Sequence, residues 1–156
     1  GMNVADLYEL TPDNLQWDKL CYHRAKTKGK RSDKAYMEVS IPPQAVEALA
    51  RLTEGARDGY LLNLSARYYD RHSCTSYISR GIAKLCKEAG LPPMTSYALR
   101  HSWATIARNE VGASEEDVAF ALNHISAHKV TDRYIRKDYA RVDKLNAEVV
   151  KLVLGG

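Results

Sequence analysis

No apolar run in this sequence approaches the roughly 18 residues that a membrane-spanning helix requires. The opening residues also lack the basic, apolar and small-residue regions of a signal peptide. Cysteine is scarce: Cys21, Cys74 and Cys86 are an odd number with no close pair, which supports neither a disulfide framework nor a CxxC zinc or redox site and favours a reducing, cytoplasmic setting. Only 9 glycines and 5 prolines stand among 156 residues, and 45% are hydrophobic and 27% charged, so fibrous and disordered classes are excluded and one ordinary folded domain is expected. Phenylalanine occurs once and tryptophan twice, whereas tyrosine occurs 10 times. Tyrosine joins an apolar ring to a hydroxyl that can bind phosphate or act on it, although most of these rings are expected to be half-buried packing.

Net charge is small as well, at +4, which permits a polyanionic partner without demanding one. Its distribution says more. Arg24, Lys26, Lys28, Lys30, Arg31 and Lys34 face a single acid, Asp33, whereas Glu110, Glu115, Glu116 and Asp117 gather elsewhere. The basic stretch suits phosphate neutralisation with counterion release; a solvated hairpin tip is the plain alternative.

Apolar spacing predicts a helix already under way at Val4, Leu7, Tyr8 and Leu10, which suggests a fragment of a longer protein, and Thr11-Pro12-Asp13 ends it. Gln16 to His23 and Ala35 to Ile41 read as an antiparallel hairpin about a basic turn at Lys28-Gly29-Lys30. After Pro42-Pro43 a helix is expected to about Leu52 with Val46, Leu49 and Ala50 inward. Residues 53 to 72 are turn-rich. A longer helix is expected from about Ser73 to Ala89 with Tyr77, Ile78, Ile82, Leu85 and Cys86 on one face, then a Gly90 C-cap. Thr95 or Ser96 caps a helix with Leu99, Trp103, Ile106 and Ala107 inward. Ser114 and Asp117 resemble a capping box for the next helix, through about Asn123. A last helix from about Tyr139 to Leu154 shows Val142, Leu145, Val149, Leu152 and Val153. The expected fold is α+β, mainly α, with one small antiparallel sheet near the N-terminus.

Three segments carry chemistry. Thr95-Ser96-Tyr97-Ala98-Leu99-Arg100-His101-Ser102-Trp103-Ala104-Thr105 places an arginine close to a helix start, where free N–H groups favour anions and a guanidinium offers a planar fork to phosphate oxygens. Ala121-Leu122-Asn123-His124 and Val130-Thr131-Asp132-Arg133-Tyr134 follow. Together these resemble the boxes T-x-H-x-L-R-H-T-x-A-T, L-G-H and T-T-x-x-Y of the tyrosine recombinase (phage integrase) family, in its catalytic domain. Tyr134 lies ten residues after His124, one more than is usual there. Gly1-Met2-Asn3-Val4-Ala5-Asp6-Leu7 is similar to the family's G-L-R-x-S-E-L, with Asn3 at the place of the first catalytic arginine, a departure shared by some mobile-element integrases. Arg24-Ala25-Lys26-Thr27 is similar to the segment that supplies a catalytic lysine. Lys26 is chosen over Lys28 because a strand-anchored ammonium is held in place.

The resemblance implies a site-specific DNA recombinase acting in integration or excision of a mobile element such as a transposon, within a bacterial cytoplasm and on the nucleoid. Tyr134 would be the nucleophile, forming a 3'-phosphotyrosyl intermediate. Arg100, His124 and Tyr97 would stabilise charge on the phosphate, and Lys26 would protonate the leaving oxygen. Asn3, Arg24, Lys28, Lys30, Arg31 and His101 form the expected DNA-contacting set, His101 having a structural role as its plainer alternative. Neither ATP nor a metal is implied as cofactor, and no three-ligand site can be assembled around His124 and His128 or His72 and Cys74. The partner would be double-stranded DNA, bound by a homo-tetramer in which the helix of residues 139–156 docks in trans. The fragment, lacking the upstream core-binding domain, would be monomeric without DNA. Type IB topoisomerase-like relaxation and an inert DNA-binding module remain open beside this.

Overall fold

The computed structural model describes residues 1–30, 33–124 and 137–155. The described residues are mainly helical, with one small antiparallel sheet near the N-terminus, as the apolar periodicities imply. Helix α1 (Val4–Tyr8) leads through a 3-10 turn at Pro12–Asn14 into β1 (Leu15–Gln16), β2 (Lys19–His23) and β3 (Tyr36–Ser40). Helices α2 (Pro43–Thr53), α3 (Leu64–Arg67), α4 (Arg71–Glu88), α5 (Ser96–Asn109), α6 (Glu115–Ala121) and α7 (Ala140–Leu154) follow.

The sheet has the order β1-β2-β3, with Leu20 opposite Val39 and Tyr22 opposite Met37. The single strand expected from Gln16 to His23 is instead two. Trp17, at φ 58° and 98% exposed, turns the chain between Gln16 and its partner Lys19. A two-residue hairpin demands positive φ, a geometric requirement that overrides the β preference of a tryptophan.

Tyr22 and Met37 join Tyr8, Leu10, Leu61, Leu62, Leu64, Cys74 and Val142 in the main core. Leu10 and Leu62 are each 1% exposed, and such burial stabilises by about 1.5–3 kcal/mol per side chain. The stretch from 53 to 63 is turn-rich as expected, and within 53 to 72 Leu61, Leu62 and Leu64 enter the core. Leu61 N–H donates to the Leu10 carbonyl at 2.7 Å and Asn63 N–H to that of Leu52 at 2.6 Å, which threads it between α1 and α2. A second cluster joins Ala107 of α5 to Leu145 and Val149 of α7, with Trp103 packed against it.

Capping follows the sequence closely. The Thr95 hydroxyl accepts from Ala98 N–H at 3.3 Å, that of Ser114 from Asp117 N–H at 3.0 Å, and Gly90 takes φ 68° after α4. Helix α4 begins earlier than expected, because the Asp70 carboxylate caps it by accepting from Ser73 N–H at 2.7 Å. These hydrogen bonds hold Asp70 below the usual carboxylate range.

Helix faces are rotated relative to the expected ones. Val46 and Ala50 point outward while Ala45, Leu49 and Leu52 face inward; Tyr77 and Leu85 flank a stripe of Cys74, Ile78, Ile82 and Cys86. Leu152 and Val153 of α7 are likewise exposed, leaving Val142, Leu145 and Val149 as its buried side. In α5, Leu99 is 50% exposed and the inward stripe is Ser96, Arg100, Trp103 and Ala107. That rotation brings an arginine inside the protein.

Candidate active site

Arg100 is only 7% exposed. Its helix start is pinned to α4 by Ser96, whose backbone N–H donates to Ser79 Oγ at 3.2 Å while the two hydroxyls meet at 2.9 Å. From there the guanidinium donates through Nη1 to the Gly1 carbonyl and through Nη2 to the Leu122 carbonyl. Nη2 also lies 3.4 Å from His124 Nε2. Since a guanidinium can only donate, that ring nitrogen serves as acceptor, which assigns the imidazole proton to Nδ1.

The segment that presents these groups is the C-terminal turn of α6. His124 N–H donates to the Ala119 carbonyl at 2.8 Å and Asn123 N–H to that of Phe120 at 2.8 Å. Asn123 has φ 53°, the left-handed region that glycine enters freely and asparagine tolerates better than other residues. This accounts for Asn123 in the place of the glycine of an L-G-H box. Its side-chain amide also donates to the Ala35 carbonyl at 2.8 Å, tying the turn to the base of β3.

The same Ala35 carbonyl accepts from Arg24 N–H at 3.1 Å. Arg24, expected among the DNA-contacting residues, is buried at the end of β2. Its Nη1 lies 3.4 Å from the Asn123 carbonyl and its Nε 3.9 Å from Asp6 Oδ2. Asp6, on α1, is 5% exposed; its Oδ1 accepts from Ala25 N–H at 2.9 Å, and the Asn3 side chain hydrogen-bonds to the same carboxylate. Asn3 therefore faces inward, toward Asp6. Sequence reasoning overlooked Asp6, though it stands where the G-L-R-x-S-E-L segment has its acid.

Electrostatically, two buried guanidinium groups share one carboxylate among the described residues. Burial raises Asp6 above its ordinary value, opposed by the Ala25 hydrogen bond and by Arg24 and Arg100. Burial lowers Arg100, and Arg24 lowers it further. His124 is pushed down by desolvation, then by Arg100 and Arg24, so the imidazole is neutral near pH 7. The result is an excess of buried positive charge, costly unless an anion meets it. Both arginines also form the polar end of a cavity of about 340 Å³ whose remaining walls are largely apolar, including Leu20, Met37, Leu49 and Val142.

The other candidates lie at the rim. Tyr97 is half exposed, its ring edge-on to that of the exposed His101 with centroids 4.6 Å apart, and its phenol belongs to the surroundings that act on Arg100. Lys26 is not strand-anchored: it sits exposed in the turn after β2, where Lys28 N–H donates to the Arg24 carbonyl at 2.9 Å. What distinguishes it from Lys28 and Lys30, both exposed in a 3-10 turn, is its place two residues from Arg24. Tyr134, Arg31 and His128 lie outside the described residues. Among the described residues no group of three His, Cys, Asp or Glu is placed to hold a metal, and no helix is long and apolar enough to cross a membrane.

A model of the phage integrase family matches residues 1–141. No curated protein and no solved structure matches the chain.

Proposed function

The chain belongs to the phage integrase family, whose activity is DNA recombination and integration, and from that premise we propose a site-specific recombinase that cuts and rejoins duplex DNA through Tyr134. The supporting observation is the meeting of Arg100 and His124, 24 residues apart in the chain, at one turn of backbone with unbalanced positive charge. A scissile phosphodiester bound there gains a guanidinium fork and an imidazole on its non-bridging oxygens.

The Tyr134 phenol oxygen attacks phosphorus, the bond from phosphorus to O5' breaks, and a 3'-phosphotyrosyl linkage forms. An unperturbed phenol titrates near 10, so the cations around the phosphate stabilise the phenolate as its proton passes to water during attack. Lys26, exposed in the turn two residues after Arg24, protonates the departing O5'. Tyr97 adds a hydroxyl donor from the rim, while Lys28, Lys30, Arg31 and His101 meet the flanking DNA backbone. Because the new linkage is still a phosphodiester, a 5'-hydroxyl from another strand reverses the step with no nucleotide hydrolysis. On DNA, α7, which in the chain alone packs on its own core through Val142, Leu145 and Val149, exchanges onto the matching core of a neighbouring protomer in a tetramer; the chain alone is a monomer. The substrate is the end of a mobile element, integrated or excised.

The test is adduct formation on nicked duplexes, where loss of a short 5'-hydroxyl fragment traps the covalent intermediate. Wild type should give a protein–DNA band resistant to detergent and Tyr134→Phe none. An adduct in Tyr134→Phe refutes the nucleophile. Wild type that binds duplex without forming an adduct would identify a DNA-binding module. Strand exchange between two marked duplexes, against relaxation of one supercoiled circle, separates recombinase from topoisomerase.

A further inference from the structure

Arg24 is buried in the active site, yet the reaction described above gives it no task. We propose that Arg24 is a second phosphate-gripping guanidinium, supplying beside Arg100 the positive charge that Asn3 does not; this rests on the recombinase function proposed above.

Position is the first ground. Arg100 holds the Leu122 carbonyl and Arg24 reaches the next one, that of Asn123, so the two guanidinium groups lie side by side along one turn that ends at His124. Arg24 is also the largest charged influence on Arg100 and acts on His124. A phosphate gripped by Arg100 and His124 is therefore within the field of Arg24.

The second ground is how loosely Arg24 is held. Arginines that brace this fold make close pairs: Arg71 meets Glu9 at 3.1 Å and Arg141 meets Asp117 at 3.1 Å. The nearest ion-pair approach of Arg24 is 3.9 Å, and its Nε, although buried, donates no hydrogen bond. Most buried N–H groups are satisfied, and an exception is explained by strain, an ordered water or a ligand that completes it. A phosphate oxygen is such a ligand, and the planar fork suits two of them.

The third ground is the partner that Arg24 shares. The Asn3 side chain hydrogen-bonds to Asp6, and Arg24 approaches the same carboxylate. A side chain at position 3 and the Arg24 guanidinium thus converge on one point, Arg24 arriving from β2 where a neutral amide arrives from α1. Asp6, which also fixes Ala25 N–H, is the positioning residue for both.

The experiment uses a randomised pool of nicked duplexes to recover the sequence that forms the wild-type adduct, then applies that duplex to variants. Arg24→Ala should slow cleavage by about 10²–10³-fold, the range for removal of one preorganised donor, and Arg24→Lys, which keeps charge without the fork, by less. A duplex with a methylphosphonate at the scissile position is uncharged there, one non-bridging oxygen having been replaced by a methyl group. On that substrate the Arg24 deficit should fall to about tenfold or less, since the charge to be neutralised has gone. A merely structural arginine would leave the same deficit on both substrates. If Arg24→Ala does not fold, as judged by thermal unfolding, Arg24→Gln, which removes the charge but keeps a polar side chain of similar reach, supplies the same comparison. Full-rate cleavage by the alanine variant, or equal deficits on the two substrates, overturns the proposal while Tyr134 chemistry stands. Absence of any wild-type adduct removes the recombinase function itself, and this proposal with it.

Discussion

Substitution of Asn123 isolates the backbone geometry on which the active site hangs. Asn123→Ala and Asn123→Gly both delete the amide that donates to the Ala35 carbonyl at 2.8 Å, a loss of about 1 kcal/mol because that carbonyl keeps its bond from Arg24 N–H. Every contact of the Asn123 side chain beyond Cβ is lost equally in the two. They part at φ 53°, where an alanine Cβ crowds the carbonyl at a cost of about 1–2 kcal/mol and glycine has no Cβ to crowd. The expected order of stability is wild type, then Gly, then Ala, with Ala about 1 kcal/mol below Gly after allowing for the greater freedom of glycine in the unfolded chain. For a chain of 156 residues, each kcal/mol moves Tm by about 2–4 °C. Urea unfolding of the three proteins, with circular dichroism as readout, measures the difference directly. An alanine variant as stable as the glycine variant would show that the left-handed turn is not what position 123 requires, and the asparagine before His124 would lose its conformational reason.

Two further outcomes follow from the site. With its folded value held below the ordinary 6.5, His124 binds fewer protons in the folded state than in the unfolded one, so its contribution to stability is present above that pH and is lost as pH falls through the folded value. A phosphate beside it reverses the shift: calorimetry near pH 6.5 in buffers of different ionisation heat should show proton uptake on DNA binding, absent in His124→Gln, and equal uptake in both would refute the role. Lys26→Ala should slow cleavage of an ordinary phosphodiester but not of a duplex whose leaving oxygen is replaced by sulfur, a thiolate needing no proton to depart; a matching loss on both substrates would assign Lys26 to binding alone.

Local signals in the sequence were legible wherever short-range geometry decides. The Thr95 and Ser114 caps, the Gly90 stop and the strand pair around the basic turn all emerge as their residue types imply. Helix faces were harder, and α5 shows why. Its buried stripe is centred on Arg100, so a search for apolar periodicity shifts the stripe to Leu99 and turns the arginine outward. The basic run from Arg24 to Lys34 misled in the opposite way: a one-dimensional cluster of charge looks like a single surface patch, but Arg24 belongs to the interior and Lys28 and Lys30 to solvent. Asp6 escaped notice because a lone acid on a five-residue helix carries no signal until the fold sets two guanidinium groups around it.

The carbonyls of Leu122 and Asn123 already accept from Arg100 Nη2 and Arg24 Nη1. An incoming phosphate must therefore compete with the protein's own backbone. Free inorganic phosphate or a stray nucleotide, bringing one or two contacts, exchanges poorly against carbonyls that cost no association entropy. In the proposed function, a duplex gripped along its length by the flanking lysines would hold its scissile group at a far higher effective concentration and win that exchange. If the proposed recombinase function holds, the turn before His124 would thus act as a filter that disfavours small anions and admits a phosphate held within DNA.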